Sequence, residues 1–498
     1  MSRDGICWFR DGIEARRGAR LALATLAVGL VVAGCGGGEE AEQEPSPATD
    51  AGTPNIVVVM TDDQDVASME SMPIVQRELV RRGVELADSY VALSECCPSR
   101  ATYLTGQHAH NHGVELSRPP RGGYPKLDGT NTLAVWLDEA GYRTGQIGRY
   151  LNYYGNSNVG TDPLEIPPGW DDWHVPVEHT EFQVYDYLLN ENGRLREYGD
   201  EPSDYATDVF TRRAVEFIEA DDDDAPFFLS VTPMAPHSEG PLDGLEVTRD
   251  PRPAPRDLGR LADLPLPQPA SFAEPDDSDK PPLVREKARL PAASEPDAAL
   301  LAVHLGRRES LLAVDRMVGE IVKALRRSGE LDETYILFTS DNGYLLGQHR
   351  HQGKHLVYEE SVRVPLVIRG PGLPAGETRS GLVQNIDLAP TIVDVAGAEA
   401  NHEMDGVSML PLARSGELDR DRHLLIVYPS SPIAFEAVRS PEGLIYVEYK
   451  KGPTELYDLR EDPLQLQNVA GDPGYASEEE RLAERLEALR ACVGEACR

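Results

Sequence analysis

The chain reads as an α/β protein built on a large, mainly parallel sheet sandwiched by helices, with a smaller α+β subdomain at its C-terminal end. Three observations predict this. Continuous apolar, β-branched runs such as Asn55-Ile56-Val57-Val58-Val59-Met60 suit strands buried on both faces of a parallel sheet. Such runs alternate with helical patterns along most of the chain, the rhythm of an α/β domain. After about residue 415 the pattern changes to short strands separated by turn residues, closed by one charged helix.

The elements follow in order. Residues 1–35 precede the fold. Arg10, Arg16, Arg17 and Arg20 lead into an apolar run from Leu21 to Val32, too short for a normal membrane span, and then into Ala33-Gly34-Cys35. This is the layout of a secretory signal. Val32-Ala33-Gly34-Cys35 resembles a bacterial lipobox, with Cys35 lipidated and the protein held on the outer face of the cytoplasmic membrane. Residues 36–53, rich in Gly, Glu, Pro, Ser and Ala, read as a flexible tether. The first strand is Asn55–Met60. Pro73–Arg82 is helical in pattern, and Val84–Tyr90 is again strand-like. Asn131–Ala140 reads as a capped helix ended by Gly141, followed by a strand at Tyr142–Ile147. A helix at Tyr205–Ala220 leads to a strand at Phe227–Val231. A long helix spans about Ala299–Arg327 and feeds the strand Tyr335–Thr339. Residues 238–298 interrupt this rhythm with many Pro and Asp, and a long irregular insert of that kind is either a functional loop, here expected to shape the site, or a disordered one. The boundary near 415 divides a main domain, 54–415, from a C-terminal subdomain, 416–498. In the latter, Leu424–Tyr428, Ala434–Arg439 and Leu444–Tyr449 are short strands, and Ser477–Arg490 is a helix.

Composition narrows the function. The chain has 498 residues, 40% of them hydrophobic, which excludes bulk disorder, collagen and a multi-span membrane protein. Its 84 acidic against 48 basic side chains give a net charge of −36, and that argues against nucleic acid as a partner. Of six cysteines, Cys7 leaves with the signal and Cys35 takes lipid. Cys492 and Cys497 suit a small disulfide loop in an oxidising compartment. The adjacent pair Cys96 and Cys97 needs another explanation.

The chemistry concentrates at strand ends. In open parallel sheets, ligands bind beyond the carboxyl ends of the strands. One such end runs into Asp62-Asp63, and another into Ser340-Asp341-Asn342-Gly343. Three carboxylates and an amide oxygen converging there form an all-oxygen cage suited to Ca2+ or Mg2+. Either pair alone would more simply cap a helix or turn. The run Cys96-Cys97-Pro98-Ser99-Arg100-Ala101-Thr102-Tyr103-Leu104-Thr105-Gly106 reads as a short helix with Pro in its first turn and Gly at its end. Cys96 then sits at the helix N-terminus with Arg100 one turn on. That is the setting of an activated nucleophile, or alternatively of a buried structural pair.

The same run resembles the signature of the sulfatases, whose fold is alkaline phosphatase-like. In that family the first Cys of C-x-P-S-R-x-x-x-L-T-G is oxidised to formylglycine. The similarity extends from about Pro54 to the C-terminus and is greatest to the N-acetylglucosamine-6-sulfatase and heparan endosulfatase branch. It is carried by Cys96-Cys97-Pro98-Ser99-Arg100, His110-Asn111-His112-Gly113-Val114, Gly148-Arg149-Tyr150-Leu151-Asn152, Ala235-Pro236-His237-Ser238, Ser340-Asp341-Asn342-Gly343-Tyr344 and Leu456-Tyr457-Asp458-Leu459. Cys492 and Cys497 also fit the end of this branch. The resemblance implies a sulfate-ester hydrolase acting on a sulfated carbohydrate and matured by a formylglycine-generating enzyme. It implies that Asp62, Asp63, Asp341 and Asn342 hold Ca2+ (or Mg2+) together with the group made from Cys96. Arg100 would stabilise the hydrated aldehyde. His237 and Lys354 would meet the sulfate ester, one of them protonating the leaving oxygen. One hydroxyl of the hydrate would attack sulfur, and the other would release sulfate by re-forming the aldehyde. Arg149 stands where the family has Lys, a larger and planar cation.

Two other functions compete. One is a formylglycine-dependent phosphodiesterase or phosphonate hydrolase, since the fold hosts both. The other is a non-catalytic sulfoglycan-binding lipoprotein, motivated by Arg149. Weaker signals remain. His108, His110 and His112 alternate in an expected loop, but no cysteine or carboxylate completes a zinc site at normal spacing. His349 and His351 either contact substrate or are exposed. Asp221–Asp224 reads as a solvated turn. Tyr150, Tyr153 and Tyr154 either line a sugar site or belong to the core.

Overall fold

In the computed structural model, described over residues 52–220, 225–240, 250–417, 419 and 421–498, the apolar run after Pro54 is the central strand of a ten-stranded sheet. The leader with Cys35, most of the tether and Asp221–Asp224 lie outside the described residues. Along the chain the strands are β1 (Asn55–Thr61), β2 (Val84–Leu86), β3 (Ser89–Tyr90), β4 (Arg143–Gly148), β5 (Asp172–Pro176) and β6 (Tyr187–Glu191). Next come β7 (Arg194–Tyr198), β8 (Phe227–Thr232), β9 (Thr334–Ser340), β10 (Leu345–Leu346), β11 (Gln352–Gly353) and β12 (Leu366–Arg369). The last six are β13 (Glu377–Arg379), β14 (Val383–Gln384), β15 (Leu424–Tyr428), β16 (Phe435–Arg439), β17 (Leu444–Tyr449) and β18 (Glu455–Asp458). The large sheet has the order β13-β2-β12-β9-β1-β8-β4-β5-β6-β7. Its centre, β9-β1-β8-β4-β5, is parallel throughout, while β12, β6 and β7 are antiparallel to their neighbours.

Helices cover both faces. They are α1 (Pro73–Glu78), α2 (Cys96–Thr105), α3 (Ala109–His112), α4 (Leu133–Glu139), α5 (Ala206–Ile218) and α6 (Pro282–Arg285), then α7 (Ala298–Ser328), α8 (Glu359–Val362), α9 (Leu388–Ala396), α10 (Leu410–Ser415) and α11 (Ala476–Leu489). The alternation along β1 explains the layering. Val57 and Val59 pack into one core with Phe210 and Phe217 of α5 and Val314 and Val318 of α7. Ile56, Val58 and Met60 enter the opposite core with Leu104 of α2, Trp136 of α4 and Ile392 of α9. Both sets of side chains are shielded from water, so the strand is apolar at every position.

The smaller sheet is antiparallel, in the order β15-β16-β17-β18. One face packs on Leu482, Leu486 and Leu489 of α11. The other meets Val91, Leu93 and Tyr358 of the main domain. A disulfide joins Cys492 to Cys497 just after α11. The expected strand Val84–Tyr90 divides into β2, in the large sheet, and β3, which pairs with β14 instead. Over its described residues the insert is irregular apart from the short α6, and it staples itself to the segment after β10. Ala273 N–H donates to the Gly347 carbonyl (2.9 Å), and His349 N–H donates to the Ser271 carbonyl (2.6 Å).

Candidate active site

β1 and β9 are parallel neighbours with Thr61 opposite Ser340, so Asp62-Asp63 and Asp341-Asn342 leave the sheet side by side. Asp63 turns through φ 66°, a left-handed conformation that Asp tolerates better than most residues. Its N–H donates to Asp341 Oδ1 (3.1 Å), and its Oδ1 accepts from Asn342 Nδ2 (2.6 Å). All four residues are buried.

α2 arrives over this edge with Cys96 as its first residue and ends at Gly106, φ 65°. Asn385 fixes the helix by donating to the Ser99 hydroxyl (2.8 Å), and Ser99 donates to the Asp341 carbonyl. Arg100 lies within the carboxylate cluster. It donates to Asp341 Oδ2 (2.8 Å), Asp62 Oδ2 (3.1 Å) and the Arg149 carbonyl (2.6 Å). The cation next to Cys96 is Arg149, just after β4. It pairs with Asp62, approaches Cys96 Sγ at 3.4 Å and donates to Asn152 Oδ1 (2.8 Å). Phe182 lies against its guanidinium at 4.3 Å and against the His237 ring at 4.9 Å. Lys354 pairs with Asp63 and donates to Asn342 Oδ1 (3.3 Å). His237 presents Nε2 to Asp63 at 3.6 Å, while its Nδ1 lies 2.6 Å from the Ser238 carbonyl and donates to it. Asp62, Asp63, Cys96, Arg100, Arg149, His237, Asp341, Asn342 and Lys354 therefore converge on one cluster at the end of β1 and β9.

Three supporting residues carried no role at the sequence level. Asn152 stood inside a matching motif but without an assigned contact. Phe182 and Asn385 gave no signal, because their positions depend on tertiary packing.

The charges are mutually set. Burial opposes ionisation of Asp62, yet Arg149, His237 and Arg100 outweigh it and hold the carboxyl below the usual range. Asp63 is also held low, burial being overcome by Lys354 and His237. Burial, with the nearby Asp62, pushes Asp341 up. Burial pushes the Cys96 thiol up as well, despite Arg149 and Lys354. As an unmodified thiol, Cys96 is thus not the activated nucleophile that its helix position suggested.

The donor set fits a hard divalent cation. Ligand atoms of Asp62, Cys96 and Asp341 lie within 4.8 Å of one another, as do those of Asp62, Asp63 and His237. Asp62 Oδ1 is buried without a hydrogen-bond partner, a free acceptor in an oxygen-rich cluster.

The weaker signals resolve as follows. Tyr150 and Tyr154 belong to the core with Trp173. His349 and His351 are buried, not exposed, and His349 Nδ1 bonds Glu274 (2.9 Å). His108 precedes α3 without a side-chain capping bond and lies beside the Cys492–Cys497 disulfide. Burial holds His108, His112 and His355 down to about 3, and His304 and His351 down to about 4. Their folded values lie below the ordinary 6.5, so the unfolded chain takes up protons first as pH falls. Stability is complete above that value and is lost on descending towards the folded ones. The urea midpoint is expected to fall between about pH 7 and about pH 4.5. A flat midpoint over that interval would contradict the buried, neutral state of these rings.

Comparison with known proteins places the chain among relatives. The Sulfatase family profile matches residues 54–398, and the profile described as N-sulphoglucosamine sulphohydrolase, C-terminal, matches 347–492. Human N-acetylglucosamine-6-sulfatase is 32% identical over 90% of this chain and 87% of its own length. An extracellular sulfatase Sulf-1 homolog of Caenorhabditis elegans is 36% identical over 72% of this chain, which spans 49% of that protein. A solved structure in complex with its substrate D-glucosamine-2-N,6-O-disulfate superposes with a TM-score of 0.75 at 26% identity, covering 87% of this chain and 97% of the other.

Proposed function

Because the chain belongs to the sulfatase family and is a sulfuric ester hydrolase, we propose that it removes sulfate from 6-O-sulfated glucosamine in a glycan, using formylglycine made from Cys96. The observation that carries this reading is Cys96 at the head of α2, its Sγ 3.4 Å from Arg149 beside the Asp62–Asp341 cluster. The substrate follows from the glucosamine-6-sulfatase names of the relatives and from the substrate held by the structural neighbour.

The residues divide the work. Asp62, Asp63, Asp341 and Asn342 would hold Ca2+ or Mg2+. When bound, the ion neutralises negative charge on the sulfate oxygens. Formylglycine supplies a hydrated aldehyde, which carries both a nucleophilic hydroxyl and a second one for sulfate release. Arg149 and Lys354 bind sulfate oxygens at fixed positions, and their prior pairing with Asp62 and Asp63 preorganises them. His237 donates through Nδ1 to the Ser238 carbonyl, so as an imidazolium facing Asp63 it would hand the Nε2 proton to the leaving oxygen, Lys354 being the alternative donor. Arg100 holds the carboxylates in place rather than touching Cys96. Residues 1–35 act as a lipoprotein signal, Cys35 as the lipid anchor and 36–53 as the tether to domain 54–415 and subdomain 416–498. Among the described residues no helix is long and apolar enough to cross a membrane.

Arg149→Lys restores the residue type usual in the family. It keeps the charge but loses the forked bond to Asp62 and Asn152 and the contact with Phe182. We expect kcat/KM to change by about tenfold or less, with stability reduced by about 1 kcal/mol. A loss as large as that of Arg149→Ala would show that the planar fork is itself required.

The test of the proposal uses protein co-expressed with a formylglycine-generating enzyme. The tryptic peptide Gly83–Arg100 is weighed, and sulfate release is compared on glucosamine 6-sulfate, a 2-O-sulfated uronide and a phosphate diester. Aldehyde at Cys96 with preference for the first substrate supports the reading. An unmodified thiol, or faster diester cleavage, overturns it.

A further inference from the structure

Beside the reaction centre lies a second cavity, of about 610 Å3, which the groups above do not use. Its walls are Asp65–Ala67 after β1, Leu266–Pro269 of the insert, and His304, Arg307 and Arg308 on α7. Arg307 joins it to the centre by donating to the Asp63 carbonyl (2.5 Å), and it lies 4.0 Å from the Tyr344 ring. The charge of Arg307 is met by Asp65 at 3.3 Å.

Arg308 is not met in this way. It is 5% exposed and donates only to neutral oxygens, the Ala67 carbonyl (2.7 Å) and the Ser71 hydroxyl (3.4 Å). Among the described residues no carboxylate comes within ion-pair distance of it. Next to it, His304 is 2% exposed and its Nε2 has no hydrogen-bond partner. The other acids on the wall are Glu359, engaged through Oε2 while its Oε1 is buried without a partner, and Glu360. Glu359 accepts from Tyr90 (3.1 Å) and faces Arg363 (3.9 Å), and Glu360 faces His349 (3.9 Å). The acids nearest in effect, Asp65 and Glu70, act on Arg308 from beyond ion-pair distance, and Asp65 is already paired with Arg307, so the contact charge still lacking points to an anionic ligand. The volume admits a group of sugar size.

We infer that this cavity is a second oxyanion site, in which Arg308 receives a sulfate or carboxylate group. Assigning that group to the glycan rests on the substrate reading above, and places it on the same chain as the ester being cleaved. Free sulfate has the same chemistry and is the other source. Arg308 makes two donors available to planar or tetrahedral oxyanions, and desolvation strengthens both.

Full-length protein with unconverted Cys96 tests this without turnover. Calorimetric titration with inorganic sulfate should show binding that Arg308→Gln weakens about tenfold or more and that Arg308→Lys retains. Titration with glucosamine 6-sulfate and with glucosamine-2-N,6-O-disulfate identifies the source. If the ligand is the second group of the glycan, Arg308→Gln loses affinity for the disulfate alone. If it is free sulfate, only the inorganic ion is affected. Equal affinities of wild type and Arg308→Gln for all three probes overturn the site. Failure of the substrate reading looks different: neither protein binds the sugars, while the effect on inorganic sulfate persists. Should Arg308→Gln not fold, hydrogen exchange on the wild type replaces it. Slowed exchange at Asp65–Ala67, Leu266 and Gln268 with sulfate supports the site, and unchanged exchange refutes it.

Discussion

Cys96→Ala is expected to reduce sulfate release by on the order of 10^4-fold or more, with the fold intact. The side chain lost is small. Cys96 is 4% exposed, and its Sγ makes only long contacts, to Arg149 at 3.4 Å and Asn152 at 3.9 Å. No packing or ion pair depends on it, so the urea midpoint should move by no more than about 1 kcal/mol. Burial keeps the thiol protonated. The catalytic loss is therefore a loss of chemistry, not of structure. Cys96→Ser sharpens the point. It leaves a hydroxyl in the same place but cannot be matured to the aldehyde, and it should be as inactive as the alanine variant. Cys97→Ala is the contrast, since Cys97, the second residue of α2, packs in the core. It should keep its rate per folded molecule and lose about 1 kcal/mol of stability. Activity above one tenth of wild type in Cys96→Ala would place the nucleophile elsewhere.

Much of this site was legible because its residues come from short stretches of contiguous sequence. Asp62-Asp63 and Asp341-Asn342 each follow an apolar run, and parallel pairing of β1 with β9 brings them together without further assumption. The helix after Cys96 was legible from Pro98 and Gly106. The roles of its cations were less so. Arg100 was placed beside Cys96 by helix periodicity, but the stronger attraction of Asp62 and Asp341 draws its guanidinium into the carboxylates and leaves Arg149 at the sulfur. The strands β5, β6 and β7 were missed because their apolar residues are interrupted by charge, as in Asp172-Trp173-His174-Val175-Pro176. Of the three only β7 is the edge strand, and it is exposed along most of its length, so no apolar run is required there. Phe182 belongs to the connection after β5. It meets Arg149 and His237 only through tertiary packing, which no local pattern encodes.

Asp62→Ala should be the most destabilising single change at the site, costing about 3–5 kcal/mol and removing activity. Asp62 is fully buried, and its Oδ2 accepts from both Arg100 (3.1 Å) and Arg149. Alanine would leave two guanidinium groups facing each other across an emptied acceptor, with only Asp341 to answer Arg100. Asp62→Asn separates charge from shape. It preserves volume and one acceptor oxygen but not the negative charge, so about half the destabilisation should remain. The linkage gives an independent check. Asp62 and Asp63 have folded pKa values below the ordinary 3.8, so their contribution is present above that pH and is lost as pH falls through the folded values. In Asp62→Asn that acid-sensitive part shrinks to what Asp63 supplies. Urea unfolding at neutral pH, with and without Ca2+, then distinguishes a structural pair from a metal ligand. If Asp62 is both, wild type gains stability with rising Ca2+ and the asparagine variant gains little, while also starting lower. A variant that starts lower but keeps the full Ca2+ increment would assign Asp62 to holding the arginines alone, and the ion to Asp63, Asp341 and Asn342.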